Sequence, residues 1–203
     1  YGANLLGSFL GGAAFELVST LSLPPPVWFA AAFALALPLG RGRRERLAVV
    51  AGAAATLLLF VVQQAPAGET VWSPYQKVTI SPLRLVGRDG TPVDAGFNLL
   101  VNQAFHQKAA NLDPAFLRAH ADLFPEAPRA EWTGYDLVYR LVGAPPEVLV
   151  GGAGTGNDVA AALRNGAGRV DAVDIDPAIL EIGRHLHPER PYDDPRVVTV
   201  VDD

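Results

Sequence analysis

The 203 residues contain no cysteine and no methionine, and only 18% of them are charged, against about a quarter in an ordinary soluble chain. Without cysteine there is neither a disulfide framework nor a thiolate metal site. The shortage of charge is local. Residues 1–40 hold one charged side chain, Glu16, and residues 1–67 hold 2 acids and 4 bases. Residues 68–203 hold 19 acids and 12 bases. Two chemically different pieces are therefore joined near residue 67. An acidic polar part without a basic stripe argues against a nucleic-acid binder. The missing methionine, and a first residue, Tyr1, that lies inside an apolar run, predict a fragment that has lost its start. Asp203 stands where a strand should pass into a loop, which predicts that the end is missing too.

What the first third does hold is apolar sequence. Ala3 to Leu23 has the length of one bilayer-spanning helix, for which about 20 apolar residues are needed. Pro24-Pro25-Pro26 ends it, because proline lacks an N–H and clashes with the preceding turn. Val27 to Leu39 and Leu47 to Val62 are two further runs. None shows the polar face of a surface helix, so residues 1–67 are expected to form about three transmembrane helices, the short second one spanning only with its flanks; buried core helices are the alternative. Gly7 and Gly11 form a small-xxx-small pair that lets membrane helices approach, and Glu16 is either an intramembrane acid or a helix-end residue in water. The expected location is a multi-pass protein of the cell membrane. Its orientation stays open. Basic loops prefer the cytoplasm, so a cytoplasmic Arg41–Arg46 loop followed by one crossing would put the polar part outside, whereas the function reached below needs it inside.

The polar part opens with β-type sequence. Lys77–Ile80 alternates, Leu83–Val86 follows Ser-Pro, Arg88–Thr91 is a turn centred on Asp-Gly, and Phe97–Asn102 completes a small antiparallel sheet. Asp113–Phe124 and Thr133–Leu141 read as helices, the first with Pro114 in its opening turn. From residue 147 the pattern becomes strand–helix–strand–helix–strand: Glu147–Val150, Asn157–Arg164, Val170–Ile175, Pro177–His187 and Arg196–Val201. Short strands alternating with ten-residue helices predict a doubly wound, Rossmann-like parallel sheet, with ligands at the carboxyl ends of its strands. The fold class is thus α/β, in three parts: helices over 1–67, a small antiparallel β-domain over 68–110, and a nucleoside-binding Rossmann-like domain over 111–203, truncated at its C-terminus.

Gly152, Gly154 and Gly156 form G-x-G-x-G between the first parallel strand and its helix. Glycines there let the backbone approach a ligand at a helix N-terminus. The dinucleotide fingerprint would want its third glycine at Asn157, and no Gly-Lys-Ser/Thr follows, so a phosphate-cradling NTPase loop is excluded. Asp174 ends the second strand, where a carboxylate can accept both hydroxyls of a ribose. Asp176, just before Pro177, reads as a helix cap. His185 and His187 lie two apart and face different ways on a helix. With no third ligand nearby, no metal site is expected. His106 reads as either a ligand's hydrogen-bond partner or a partly buried structural histidine, Tyr135 as core, and Trp72 as either a pocket wall or an interfacial aromatic.

On these residues the polar part resembles the spermidine synthase family in its membrane-attached bacterial form, a family with the fold of S-adenosylmethionine-dependent methyltransferases. Ser73-Pro-Tyr-Gln-Lys-Val78 matches its S-x-Y-Q segment, Leu99 to Gln107 resembles its second conserved strand with a glutamine, Val173–Pro177 matches its acidic strand end, and Asp203 falls at its adenine-contacting Asp. The resemblance covers about residues 71–203. It implies that Gln76 and Gln107 touch the nucleoside, Asp174 the ribose and Asp203 the adenine. The implied donor is decarboxylated S-adenosylmethionine, or S-adenosylmethionine itself, taken as a substrate. The acceptor is a polyamine or another small molecule, and the membrane and a second copy of the chain are the remaining candidate partners. The chain also departs from the family. The Asp of the family's glycine loop, which holds the substrate's ammonium, is Thr155 here. Its Tyr-His-Glu falls near Tyr135-Asp-Leu137, and Gln107 sits one residue beyond the usual spacing. The family's general base lies past Asp203, so no catalytic base is assigned. Aminopropyl transfer is the leading expectation. A methyltransferase, for which G-x-G-T-G is a common form, and a non-catalytic nucleoside-binding membrane protein stay open.

Overall fold

A computed structural model describes residues 1–62, 68–124 and 134–202. The chain divides into two units, Tyr1–Ala67 and Gly68–Asp203. In the first, α1 spans Gly2–Thr20, α2 Pro25–Ala36 with a 3-10 turn at Leu37–Leu39, and α3 Arg43–Val62. Among the described residues α3 is the one helix long and apolar enough to cross a membrane; its 20 residues rise about 30 Å, the thickness of a bilayer core. The arginine run was expected to be a loop between the second and third apolar runs, yet Arg43–Arg46 form the first turn of α3. Arg and Glu are good helix formers, and Glu45 accepts the Arg41 backbone N–H at 2.6 Å, closing the helix entry.

The second unit begins with an antiparallel sheet in the order β1 (Glu69–Trp72), β2 (Lys77–Val86), β3 (Pro92–Val101) and β4 (Ala104–Ala110). Two expected strands around Ser81-Pro82 are one continuous strand, β2. Proline is tolerated there because β1 pairs only with Lys77–Ile80, so Pro82 lies on an open edge on that side. The segment Leu99–Gln107 is likewise not one strand but a hairpin. Asn102 and Gln103 both take positive φ, +49° and +71°, as a two-residue hairpin turn requires, and Leu99 then pairs across to Gln107. The helix expected over Asp113–Phe124 is shorter, α4 (Pro114–Ala119), with Asp113 capping its first N–H groups. A 3-10 turn at Gly134–Asp136 leads into α5 (Leu137–Val142).

The parallel sheet follows as expected: β5 (Glu147–Gly151), α6 (Asn157–Arg164), β6 (Arg169–Asp174), α7 (Pro177–Leu186) and β7 (Val197–Val201), with strand order β5-β6-β7. Its core joins Val150, Val170 and Ala172 of the strands to Val159 and Ala162 of α6 and Leu180 of α7. A second core lies under the antiparallel sheet, where Val78, Ile80, Phe97, Leu99 and Ala109 pack on Ile179 and Ile182. Helix α7 therefore serves both sheets. Ile179 and Ile182, three apart, face the antiparallel sheet, while Leu180 faces the parallel one. Each buried isoleucine contributes roughly 1.5–3 kcal/mol. The consequence is positional, because the hairpin glutamines of one sheet are brought to the strand ends of the other.

Candidate nucleoside and acceptor site

The turn after β5 is held open by backbone that side chains rarely adopt. Gly152, Gly154 and Gly156 have φ of +70°, +56° and +105°. A Cβ on Gly156 would lie 2.8 Å from Pro191 and 3.1 Å from the Tyr192 ring, so this glycine is required by packing as well as by φ. Helix α7 closes in from the other side. A Cβ on its Gly183 would sit 2.5 Å from the Thr155 carbonyl oxygen, backbone against backbone. The Tyr192 hydroxyl, buried beneath the loop, donates to the Gly154 carbonyl at 2.8 Å with the Ala153 carbonyl at 3.2 Å. Burial, and next the Asp174 charge, hold that hydroxyl protonated by raising its pKa. Tyr192 thus fixes the loop from below. Nothing in the glycine pattern signals it, because it lies some forty residues downstream.

Asp174 is half-buried at the end of β6 and turned toward the loop. Its Oδ2 accepts the Gly154 N–H at 2.8 Å and its Oδ1 the Asp176 N–H at 2.8 Å. A carboxylate offers about four lone-pair sites, so two stay available on a side chain whose orientation is already set. Asp176 is buried and is the cap of α7, accepting from Ala178 N at 3.0 Å. It also accepts from Gln76 Nε2 at 3.2 Å. Ser73 explains how Gln76 reaches it. Its buried hydroxyl accepts the N–H groups of Tyr75 and Gln76 at 3.1 and 3.0 Å, folding Ser73-Pro-Tyr-Gln into a turn that presents the glutamine. With one Nε2 hydrogen engaged, the Gln76 amide keeps its second N–H and its Oε1 for a further partner. Gln107 comes from β4 and lies over the loop. A Cβ on Gly154 would meet both its amide atoms at 2.9 Å, and its Nε2 is buried without a hydrogen-bond partner among the described residues. The structure thus brings Gln76, Gln107, Gly152, Gly154, Gly156 and Asp174 to one end of the parallel sheet. Asp203 lies outside the described residues.

Thr155 is fully buried, its hydroxyl unpartnered among the described residues, and it offers no polar group to a ligand at the loop surface.

Beside the loop runs a cleft of about 720 Å³, walled by Phe105, His106, Gln107, Tyr135, Val138 and Asp158 among others. Two expectations change here. Of the two readings of His106, the partly buried structural one fails: the side chain is exposed at the cleft, because the hairpin turns β4 outward. Tyr135 is not simply core. Its oxygen accepts from Asn157 Nδ2 at 3.0 Å and its ring borders the cleft. Asn157 is the hub of this wall. Its Oδ1 accepts from the Ala110 backbone at 3.3 Å and from His187 Nε2 at 3.1 Å, and its Nδ2 also donates to the Lys108 carbonyl. The His187 Nδ1 accepts the Glu189 N–H at 3.1 Å, so the ring proton sits on Nε2. Burial, and next Arg164, lower the His187 pKa to about 4, keeping it neutral. An ion-paired group braces the far side, with Arg164 to Glu189 at 2.5 Å and to Asp136 at 3.3 Å, all three side chains largely buried. Among the described residues no group of His, Asp and Glu can hold a metal ion.

No protein-family model matches the chain, and neither does any curated protein. Among solved structures the chain is similar to the spermidine synthase of Thermotoga maritima, at 15% identity and a TM-score of 0.45, over 66% of this chain and 40% of that one. It is also similar to a probable spermidine synthase from Corynebacterium glutamicum ATCC 13032, at 16% identity and a TM-score of 0.44, over 68% of this chain and 46% of that one. The chain spans less than half the length of either protein, and its likeness is to part of a spermidine synthase.

Proposed function

We infer that this chain carries the donor-binding part of a spermidine synthase-like aminopropyltransferase, attached to a membrane through α3 and its neighbours. The observation that carries the reading is the Asp174 carboxylate, oriented by the Gly154 N–H and left with two open lone pairs at the sheet's ligand-binding end. The ribose of decarboxylated S-adenosylmethionine would be held there, with the side-chain amides of Gln107 and Gln76 within reach of the nucleoside. The amine acceptor would lie in the adjoining cleft. In the reaction an amine nitrogen attacks the carbon bound to the sulfonium sulfur. The carbon–sulfur bond breaks with its electron pair going to sulfur, methylthioadenosine leaves, and the new ammonium gives up a proton. Sulfonium is a good leaving group, so the site's task is chiefly alignment. By the family resemblance, the residue that takes the proton lies beyond Asp203.

One observation favours a second reading. Thr155 stands where the resemblance puts an acid, so no carboxylate at that place repels the carboxylate that intact S-adenosylmethionine carries and the decarboxylated donor lacks, which suits methyl transfer. Mass-spectrometric product analysis separates the two. The full-length protein is supplied with decarboxylated or intact S-adenosylmethionine and a panel of polyamines. Aminopropyl transfer adds a three-carbon amine to the acceptor; methyl transfer adds one carbon. No product with either donor would refute both readings and leave a ligand-binding membrane protein.

A further inference from the structure

We propose that Asp158 is a specificity-determining residue of the cleft, the carboxylate that binds the ammonium group of an alkylamine ligand. The proposal deepens the reading of the cleft as the acceptor site and rests on it. Asp158 lies in the first turn of α6 and borders the cleft together with the rings of Phe105 and Tyr135 and the aliphatic Val138. A carboxylate in a first helical turn is often a local capping or dipole partner. Here it accepts no hydrogen bond and forms no ion pair among the described residues, although twelve bases populate the polar part of the sequence. Lys108 is the one Lys or Arg bordering the cleft among the described residues, and it is engaged in an interaction of its own. The side chain reaches solvent at the cleft mouth, yet the surrounding protein desolvates it enough to raise its pKa. An uncompensated carboxylate beside two aromatic rings and an aliphatic wall suits one chemical class. That class is a protonated amine on a hydrocarbon chain, with the ammonium on the acid, aromatic faces beside it and methylenes along the wall.

The test measures binding, not turnover, on the full chain in detergent micelles. Titration calorimetry or ligand-observed NMR compares 1,5-diaminopentane with 1,5-pentanediol, which match in length and differ in charge. Methylthioadenosine serves as the probe of the neighbouring loop. Asp158→Asn is expected to weaken diamine binding at least tenfold and leave the diol and methylthioadenosine unchanged, while Asp158→Glu keeps the diamine within about threefold of wild type. Undiminished diamine binding by Asp158→Asn, or equal binding of diamine and diol by the wild type, overturns the proposal. Intact methylthioadenosine binding by Asp158→Asn shows that the variant is folded. A wild type that binds the diamine through Asp158 but does not bind methylthioadenosine supports this subsite and overturns the transfer reading.

Discussion

Replacing Asn157 by alanine perturbs the wall shared by the loop helix and the cleft, and its cost can be worked from the hydrogen bonds. The asparagine oxygen serves two donors, the Ala110 N–H and the His187 Nε2–H, whose residues are 3% and 0% exposed. Its amide serves the Lys108 carbonyl and the Tyr135 oxygen. Tyr135 borders the cleft, where water replaces the lost donor. The two buried N–H groups have no such recourse. A buried donor left unmade costs roughly 1–3 kcal/mol, so Asn157→Ala is expected to lose about 2–6 kcal/mol of stability. For a polar part of this size that lowers the melting temperature on the order of 10 °C. Thermal unfolding of the full chain in micelles, followed by near-ultraviolet circular dichroism, reads this directly. Hydrogen exchange at the Ala110 amide should accelerate in parallel. A loss below about 1 kcal/mol, with Ala110 protection intact, would refute the network as described.

Three further outcomes follow from the same geometry. His187 is neutral in the folded state because burial lowers its pKa to about 4, whereas an unfolded histidine titrates near 6.5. Between those values the unfolded chain binds the extra proton, so this contribution is full above pH 6.5 and is lost as pH falls toward 4. Wild type should lose about 2 kcal/mol more than His187→Gln between pH 7 and pH 4.5 in denaturant titrations; parallel losses would contradict the assignment. Gly183→Ala places a methyl 2.5 Å from the Thr155 carbonyl oxygen and should destabilise by roughly 1–3 kcal/mol, as overpacking does, while weakening methylthioadenosine binding through the displaced loop. A variant as stable as wild type would mean that α7 and the loop are farther apart. Tyr192→Phe removes the hydroxyl under Gly154, should cost roughly 1–3 kcal/mol of stability by leaving a buried carbonyl unpaired, and should weaken the same ligand severalfold; unchanged affinity would deny it a positioning role.

The parallel half was legible in the sequence because its signals are local. Alternating short strands and helices, proline at the start of α7 and glycines at the loop each follow from a few neighbouring residues. The antiparallel half was read less well. Gln103 carries no hairpin signature, so the turn that splits Leu99–Gln107 into β3 and β4 was hidden, and with it the exposure of His106. Pro82 looked like a break because only the sheet shows that β1 ends before it. The motifs of the sequence carry Gln76, Gln107, Gly152, Gly154, Gly156 and Asp174, and all six lie at one end of the parallel sheet. No local motif marks Asp158, Asn157 or Tyr192, because their roles arise from packing between segments some twenty to fifty residues apart. The apolar third was read as about three crossings. Composition signals apolar runs but not helix bounds, and α3 alone among the described helices meets the length and apolarity for one.

The most direct measurement of the central claim is calorimetry of methylthioadenosine binding to the full-length protein, wild type against Asp174→Ala. Saturable binding by the wild type and a loss of at least tenfold in the variant is the predicted result. Equal affinities, with the variant's fold confirmed by circular dichroism, would contradict the ribose role of Asp174 and the transferase reading built on it.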